Sequence, residues 1–185
     1  MDTFISEAVF IFDKDGKFVK KLALQGEGPN EYIRPMDIVV EEEKVWILDN
    51  GRTIKIFIFS GNKVDEIDLT TFSAIKSESL KEAKVFAFIS GDIDDNLIIA
   101  DKIGGKIGSY FPYLSRRVDR VIINPIFKNY SDDKIIYRRE FNDTLYAINS
   151  EGLLNPYKHM NFGGYTLGKE FDVDNLSDEN LKNIH

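Results

Sequence analysis

The sequence predicts an all-β protein made of short antiparallel strands, and three observations support that prediction. Apolar and polar residues alternate with a period of two in segments such as Lys63–Leu69. Turn pairs that suit tight hairpins, such as Asp15-Gly16 and Asn50-Gly51, separate these segments. A Phe-Ile-Phe strand followed by a turn, a lysine and an apolar residue occurs at Phe10–Phe18 and again at Phe57–Val64.

Each strand is predicted from a run of β-branched and aromatic residues bounded by turn residues. In the first part of the chain these runs cover residues 9–12, 17–22, 37–40, 44–48, 53–59 and 63–69. Later runs cover residues 84–89, 96–100, 117–123, 134–138, 144–148 and 157–162. Gly104–Gly108 is predicted to be a turn and Tyr110–Tyr113 a loop, while helix is limited to a short turn at Ser77–Lys81 and a C-terminal helix over residues 177–184.

The repeated Phe-Ile-Phe motif gives the size of the structural unit. Phe12 and Phe59 are separated by about 45 residues, which is the length of one four-stranded propeller blade. Two more strands and two turns lie between the copies, as one blade requires. The sequence therefore predicts part of a β-propeller built of four-stranded antiparallel blades, about three to four of them in this chain. No linker-like change of composition divides residues 1–185, so we expect a single domain.

Composition excludes several classes of function. The 185 residues carry 24 Lys and Arg against 31 Asp and Glu, a formal charge of −7, which argues against unaided binding to nucleic acid. No run of about 18 apolar residues is present, so no membrane span is predicted. The chain has no cysteine and only two histidines, His159 and His185, which excludes thiolate metal sites and a site built on several histidines.

Two motifs resemble a known family. The segment Gly26-Glu27-Gly28-Pro29-Asn30-Glu31-Tyr32 and the later Phe141-Asn142-Asp143-Thr144-Leu145-Tyr146 resemble motifs of the six-bladed β-propellers of Bacteroidetes-type bacteria, which are related to NHL-repeat propellers. The resemblance implies an exported, often lipid-anchored protein of the periplasm or cell exterior. The first four residues, 1–4, show no export signal pattern. The resemblance also implies that a loop between blades is shaped by Gly26, Gly28, Pro29, Glu31 and Tyr32. Any ligand-facing role of these residues is secondary.

The predicted ring is incomplete in this chain. Six blades of about 45 residues would need about 270 residues. An open arc leaves blade faces and edges uncovered, and such surface favours association. We therefore expect self-association through the open blade edges, as a dimer that could complete a ring by two-fold symmetry. A truncated product with an open edge is the alternative.

Five residues are the candidates for ligand binding. Glu31 and Tyr32 belong to the glycine-rich loop, which lacks the third glycine and the following helix of a dinucleotide site. Tyr110 and Tyr113 belong to an aromatic segment where stacking on a sugar or a peptide competes with packing over a blade end. Arg116 belongs to a small basic cluster that could meet a carboxylate or sulfate.

Metal and catalytic signals are weaker. Asp92, Asp94 and Asp95 could hold Ca²⁺ through carboxylate oxygens, although the spacing does not match an EF-hand and such residues also favour turns. No other cofactor is predicted. His159 is the only internal histidine, and no nucleophile or carboxylate pair is singled out, so no catalytic residue is assigned. The expected function is a non-enzymatic binding or scaffold module for a protein or carbohydrate ligand, and the alternative is a hydrolase or lyase acting on a carbohydrate or lactone at the propeller channel.

Overall fold

The computed structural model describes residues 8–22, 24–69, 73–81, 83–87, 95–112, 126–131, 133–138 and 142–165. Apart from a 3₁₀ turn at Gly163–Tyr165, all regular elements in these ranges are strands, which confirms the all-β prediction. No helix in these ranges is long and apolar enough to cross a membrane. The chain divides into two compact units, Met1–Ser79 with Ile103–Gly105 and Leu80–Lys102 with Lys106–His185.

The described strands are numbered in chain order. The first eight are β1 (Phe10–Phe12), β2 (Phe18–Lys21), β3 (Leu24–Gln25), β4 (Glu31–Tyr32), β5 (Pro35–Glu41), β6 (Lys44–Asp49), β7 (Thr53–Ile58) and β8 (Lys63–Asp68). The second eight are β9 (Lys76–Ser79), β10 (Lys84–Ala87), β11 (Asp95–Ala100), β12 (Lys106–Pro112), β13 (Ile126–Ser131), β14 (Lys134–Arg138), β15 (Thr144–Asn149) and β16 (Leu154–His159).

Most strands form four-stranded antiparallel sheets in which each strand pairs with its neighbour in the chain. The orders are β5-β6-β7-β8, β12-β11-β10-β9 and β13-β14-β15-β16. Two smaller sheets precede them, an antiparallel hairpin of β1 and β2 and a parallel pair of β3 and β4. Nearest-neighbour pairing follows from the short connections of two to seven residues, because such connections join antiparallel strands that lie side by side.

Two predicted hairpin turns are confirmed in backbone detail. Asn50 (φ 50°) and Gly51 (φ 72°) both have positive φ between β6 and β7, as a type I′ turn requires. In the first hairpin, Gly16 has φ 78° and its N–H donates to the Asp13 carbonyl at 3.0 Å. The Asp13 carboxylate also accepts the N–H of Lys17 at 2.9 Å, so this residue holds the turn from its side chain as well.

The first unit has its own apolar core. Its buried residues come from the first hairpin, the parallel pair and the sheet β5–β8: Val9, Leu22, Tyr32, Val45, Ile47 and Phe57. Alternation along β6 explains why Val45 and Ile47 point into this core. Asp37 joins β5 to β9 in the same unit, because its carboxylate accepts Lys76 Nζ at 3.0 Å and the N–H of Ser77 at 2.9 Å.

The second unit buries a separate cluster: Leu80, Ala83, Leu97, Ile99, Ile135, Tyr137 and Ile148. Aromatic rings extend this cluster at one side. Phe111 lies 4.9 Å from Tyr146 and 5.7 Å from Tyr137, measured between ring centroids. Its φ of 62° is unusual for an aromatic residue, and its carbonyl accepts the Asn96 amide at 3.0 Å.

Several local predictions are wrong, and two others concern residues outside the described ranges. Residues 106–108 and 110–112, predicted as turn and loop, form β12, because pairing with β11 outweighs the glycine content of the segment. Ser77–Lys81, predicted as a helical turn, overlaps β9. The predicted strand 117–123 and helix 177–184 lie outside the described residues.

Candidate functional site

The glycine-rich loop between β3 and β4 is organised around the Glu31 carboxylate. The N–H of Gly28 donates to Glu31 Oε2 at 2.7 Å, and the N–H of Glu31 donates back to the Gly28 carbonyl at 3.1 Å. At the base of the loop, the N–H of Gly26 donates to the Tyr32 carbonyl at 2.9 Å. The parallel pairing of Leu24 with Glu31 closes the loop.

Both glycines leave room for the Glu31 carboxylate in this position. A Cβ atom at Gly28 would lie 2.8 Å from Glu31 Oε2, and a Cβ atom at Gly26 would overlap the same oxygen. The motif therefore reserves space for a carboxylate that caps the loop from within. This is a structural role, and it leaves the second Glu31 oxygen for other partners.

Tyr32 ties this loop to the first hairpin. The side chain is fully buried, and its hydroxyl accepts the N–H of Val9 at 3.1 Å. Burial raises the pKa of Tyr32 above its ordinary value of 10.0, and the nearby Asp49 carboxylate acts in the same direction, whereas the hydrogen bond from Val9 acts against them. The ring therefore contributes to the core of the first unit and presents no surface to a ligand in this conformation.

A buried ion pair is hydrogen-bonded to the strand β4, which follows the loop. Lys55 Nζ lies 2.8 Å from Asp49 Oδ2 and donates to the Glu31 carbonyl at 2.9 Å. The Asp49 carboxylate also accepts the N–H of Arg34 at 2.7 Å and that of Ile33 at 2.9 Å. Both charged groups are paired and hydrogen-bonded, so neither buried side chain leaves a polar group without a partner. The ion pair therefore connects β6, β7 and the end of β4.

A groove opens beside the loop in the first unit. Its volume is about 300 Å³, and it is lined by Lys20, Lys21, Leu22, Asn30, Glu31, Ser60 and Gly61. Three wall residues are held in place. Lys20 Nζ donates to the Ser60 carbonyl, Asn30 Oδ1 accepts the N–H of Lys63 at 3.0 Å, and Glu31 is fixed by Gly28.

The residues that line the groove carry complementary hydrogen-bonding groups. Lys21 supplies an ammonium group, and Asn30 offers its amide N–H groups because its oxygen is already engaged. Glu31 supplies carboxylate acceptors on the same wall. Gly61 has φ 95°, and a Cβ atom there would lie 3.2 Å from the Leu22 carbonyl, so glycine keeps this side of the groove open. Mixed donors and acceptors suit a ligand with several hydroxyl groups.

The remaining predicted ligand residues lie in the second unit or outside the described ranges. Tyr110 is half-buried against the second core, and its hydroxyl lies 3.5 Å from the Gly152 carbonyl. Tyr110 and Phe111 both pack against the core of the second unit, so packing accounts for much of the aromatic segment. Tyr113 and Arg116 lie outside the described residues.

Two of the three residues predicted to bind calcium lie outside the described residues. Asp92 and Asp94 lie outside the described residues, and Asp95 lies in β11 with its carboxylate 3.7 Å from Lys106 Nζ. Among the described residues, no group of three or more His, Asp or Glu side chains is arranged to hold a metal ion. His159 lies at the end of β16, exposed, with Nδ1 3.3 Å from Asp143 Oδ1.

Comparison with known proteins identifies the family. Residues 2–184 match the model of a domain of unknown function, DUF4934. The chain belongs to this family. No curated protein shows significant similarity to this DUF4934 chain.

Solved structures resemble the DUF4934 chain in fold. One is a protein of Bacteroides fragilis NCTC 9343 whose export has been proposed, with a TM-score of 0.69, 17% identity, and coverage of 85% of this chain and 46% of that one. Another is a member of the DUF4221 family from Bacteroides vulgatus ATCC 8482, with a TM-score of 0.54, 14% identity, and coverage of 84% and 52%. The DUF4934 chain therefore spans about half the length of each.

Sequence reasoning missed several groove residues of the DUF4934 chain. Lys20 and Lys21 end a predicted strand and carry no ligand-binding pattern, and Ser60-Gly61 has the residues of a turn. The groove forms because β2 and the β7–β8 turn meet across 40 residues of sequence, as the contact of Lys20 with Ser60 records. The buried pair left one signal, since Lys55 interrupts the apolar run of β7.

Proposed function

We propose that this DUF4934 chain is a non-enzymatic binding or scaffold module of a bacterial envelope protein, folded as part of a β-propeller. Three successive four-stranded antiparallel sheets, in chain order, support the propeller architecture. The proposed export of the Bacteroides fragilis neighbour supports a periplasmic or extracellular location. The motifs at Gly26–Tyr32 and Phe141–Tyr146, which resemble those of six-bladed β-propellers, support the same architecture and location.

The groove beside Glu31 is the observation that carries the binding function. Its volume of about 300 Å³ lies at the lower end of small-molecule sites. Its walls are held by hydrogen bonds before any ligand arrives, which reduces the entropy cost of binding. Donors from Lys21 and Asn30 next to the Glu31 carboxylate match the hydroxyl groups of a saccharide, so a carbohydrate is the ligand class that we favour over a peptide.

Calorimetric titration with a panel of neutral and acidic oligosaccharides tests this function. We expect one member to bind, and we expect Lys21→Gln and Asn30→Ala each to weaken that binding about tenfold, which is the loss of roughly one hydrogen bond to a charged or polar group. Lys44→Gln, an exposed change on β6 away from the groove, is the matched control. Absence of binding across the panel, or binding that neither groove variant alters, would reject the groove as a saccharide site.

A further inference from the structure

The first hairpin exposes an aromatic face. Phe10, Phe12 and Phe18 are 40%, 56% and 55% exposed. The rings touch one another edge to face, with centroid distances of 6.3 Å for Phe10–Phe18 and 5.9 Å for Phe12–Phe18. They therefore form one contiguous patch, which we call the phenylalanine face.

The phenylalanine face is a clustered apolar surface of appreciable size. An aromatic side chain covers about 150–250 Å², so three rings at about half exposure leave roughly 300 Å² of clustered apolar surface. The largest apolar patch on a soluble monomer is typically about 300–600 Å² and often functional, so the phenylalanine face is a candidate interaction site. The hairpin is also only two-stranded, whereas the larger sheets have four strands.

Charge indicates what could cover this face. The hairpin from Phe10 to Lys21 contains four lysines and two aspartates, a net charge of +2, although the whole chain carries −7. Strand β8 carries the opposite balance, with Lys63 against Asp65, Glu66 and Asp68, a net charge of −2. It lies at the edge of the sheet β5–β8, and it also exposes an apolar side chain, Val64, at 49%.

We infer that the phenylalanine face binds β8 of a second copy of this chain, reciprocally in a two-fold dimer. In such a dimer each copy contributes one hairpin and one β8, so the contact is made twice. Because each copy buries both its phenylalanine face and its β8, the surface buried per copy is of the order of the roughly 800 Å² of a standard interface. The rings of the phenylalanine face do not line the groove, although Lys20 and Lys21 of the same hairpin do, and the inference does not depend on the proposed function.

Light scattering after size exclusion, across a dilution series, measures the association. We expect the mass to rise with concentration from 21.2 kDa towards twice that value. Phe12→Ser removes a ring that is more than half exposed, so it should leave the fold intact and abolish the rise. Phe162→Ser, which is 53% exposed in the second unit, is the matched control and should leave the rise unchanged.

A pair of charge-reversed variants tests the geometry. Lys14→Glu with Lys17→Glu turns the hairpin from +2 to −2, and Asp65→Lys with Asp68→Lys turns β8 from −2 to +2. Each variant alone opposes like charges at both contacts and should stay monomeric, whereas an equimolar mixture opposes unlike charges at both contacts and should form a heterodimer. A wild-type monomer at every concentration, a dimer indifferent to Phe12→Ser, or a mixture that fails to associate would overturn the inference.

Discussion

Tyr32 shows how one hydroxyl group joins two segments that are distant in sequence. Its hydrogen bond from Val9 N connects the glycine-rich loop to the first hairpin across 23 residues. The Val9 residue is 3% exposed, so its N–H has little access to water if the hydroxyl is removed. A buried donor without an acceptor costs about 1–3 kcal/mol.

Tyr32→Phe should therefore lower the free energy of unfolding by about 1–3 kcal/mol at neutral pH. It should also change the response to alkali. The pKa of Tyr32 is raised in the folded state, so between its ordinary value of 10.0 and the raised value the folded chain holds a proton that the unfolded chain has lost. Stability from this group is complete below pH 10 and falls as pH increases through that window.

Denaturant unfolding of wild type and Tyr32→Phe between neutral pH and strongly alkaline pH measures both effects. The wild type should lose stability more steeply above pH 10 than the variant, because the other tyrosines titrate in both proteins. Parallel curves over that range would show that Tyr32 does not carry the alkaline loss.

At the scale of elements, the strands were largely predictable and the connections between distant elements were not. Residues 53–59 were predicted as a strand and β7 covers Thr53–Ile58, because alternation and the Asn-Gly turn both act locally. The parallel pair of β3 and β4 was not predicted, since each strand has two residues and carries no periodic signal. The same limit explains β12, because its glycine content predicts a turn and the pairing with β11 is not encoded in the segment itself.

The loop between β3 and β4 allows its motif to be tested by a double-mutant cycle. The backbone at Gly26 does not need a positive φ, so Gly26→Ala acts through the clash of its Cβ with the Glu31 carboxylate. We expect Gly26→Ala to cost about 1–2 kcal/mol in the wild type and much less in a Glu31→Ala background, where the clash is gone. Chemical denaturation of the four proteins gives the coupling.

Gly164→Ala serves as the control for this cycle. No atom lies within 4 Å of a Cβ placed at Gly164, so the change should stay within about 0.5 kcal/mol of the wild type. Equal costs of Gly26→Ala in both backgrounds would mean that Gly26 does not make room for the Glu31 carboxylate, and the structural account of this position would fail.

At the scale of the whole molecule, net charge and local charge act in opposite directions on association. Two copies of a chain with a formal charge of −7 repel each other, whereas the basic hairpin and the acidic β8 attract. The repulsion acts over the Debye length, which is about 30 Å at 0.01 M salt and about 8 Å at 0.15 M. The attraction acts at contact distance and is screened less over the same change.

Raising the salt concentration from about 0.01 M to about 0.15 M should therefore strengthen self-association, because the long-range repulsion is removed first. A further increase to about 1 M should change the dissociation constant little, since the apolar contact of the phenylalanine face remains while the charged rim is screened. Sedimentation velocity at fixed protein concentration measures the dimer fraction at the three salt levels. The variant with Lys14→Glu and Lys17→Glu has a net charge of −11 and a hairpin that no longer attracts β8, so it should remain monomeric at about 0.01 M and about 0.15 M salt. If the wild type dissociated steadily from the lowest salt upward, the rim contacts would outweigh the net repulsion, and the apolar face would not be the main source of binding energy.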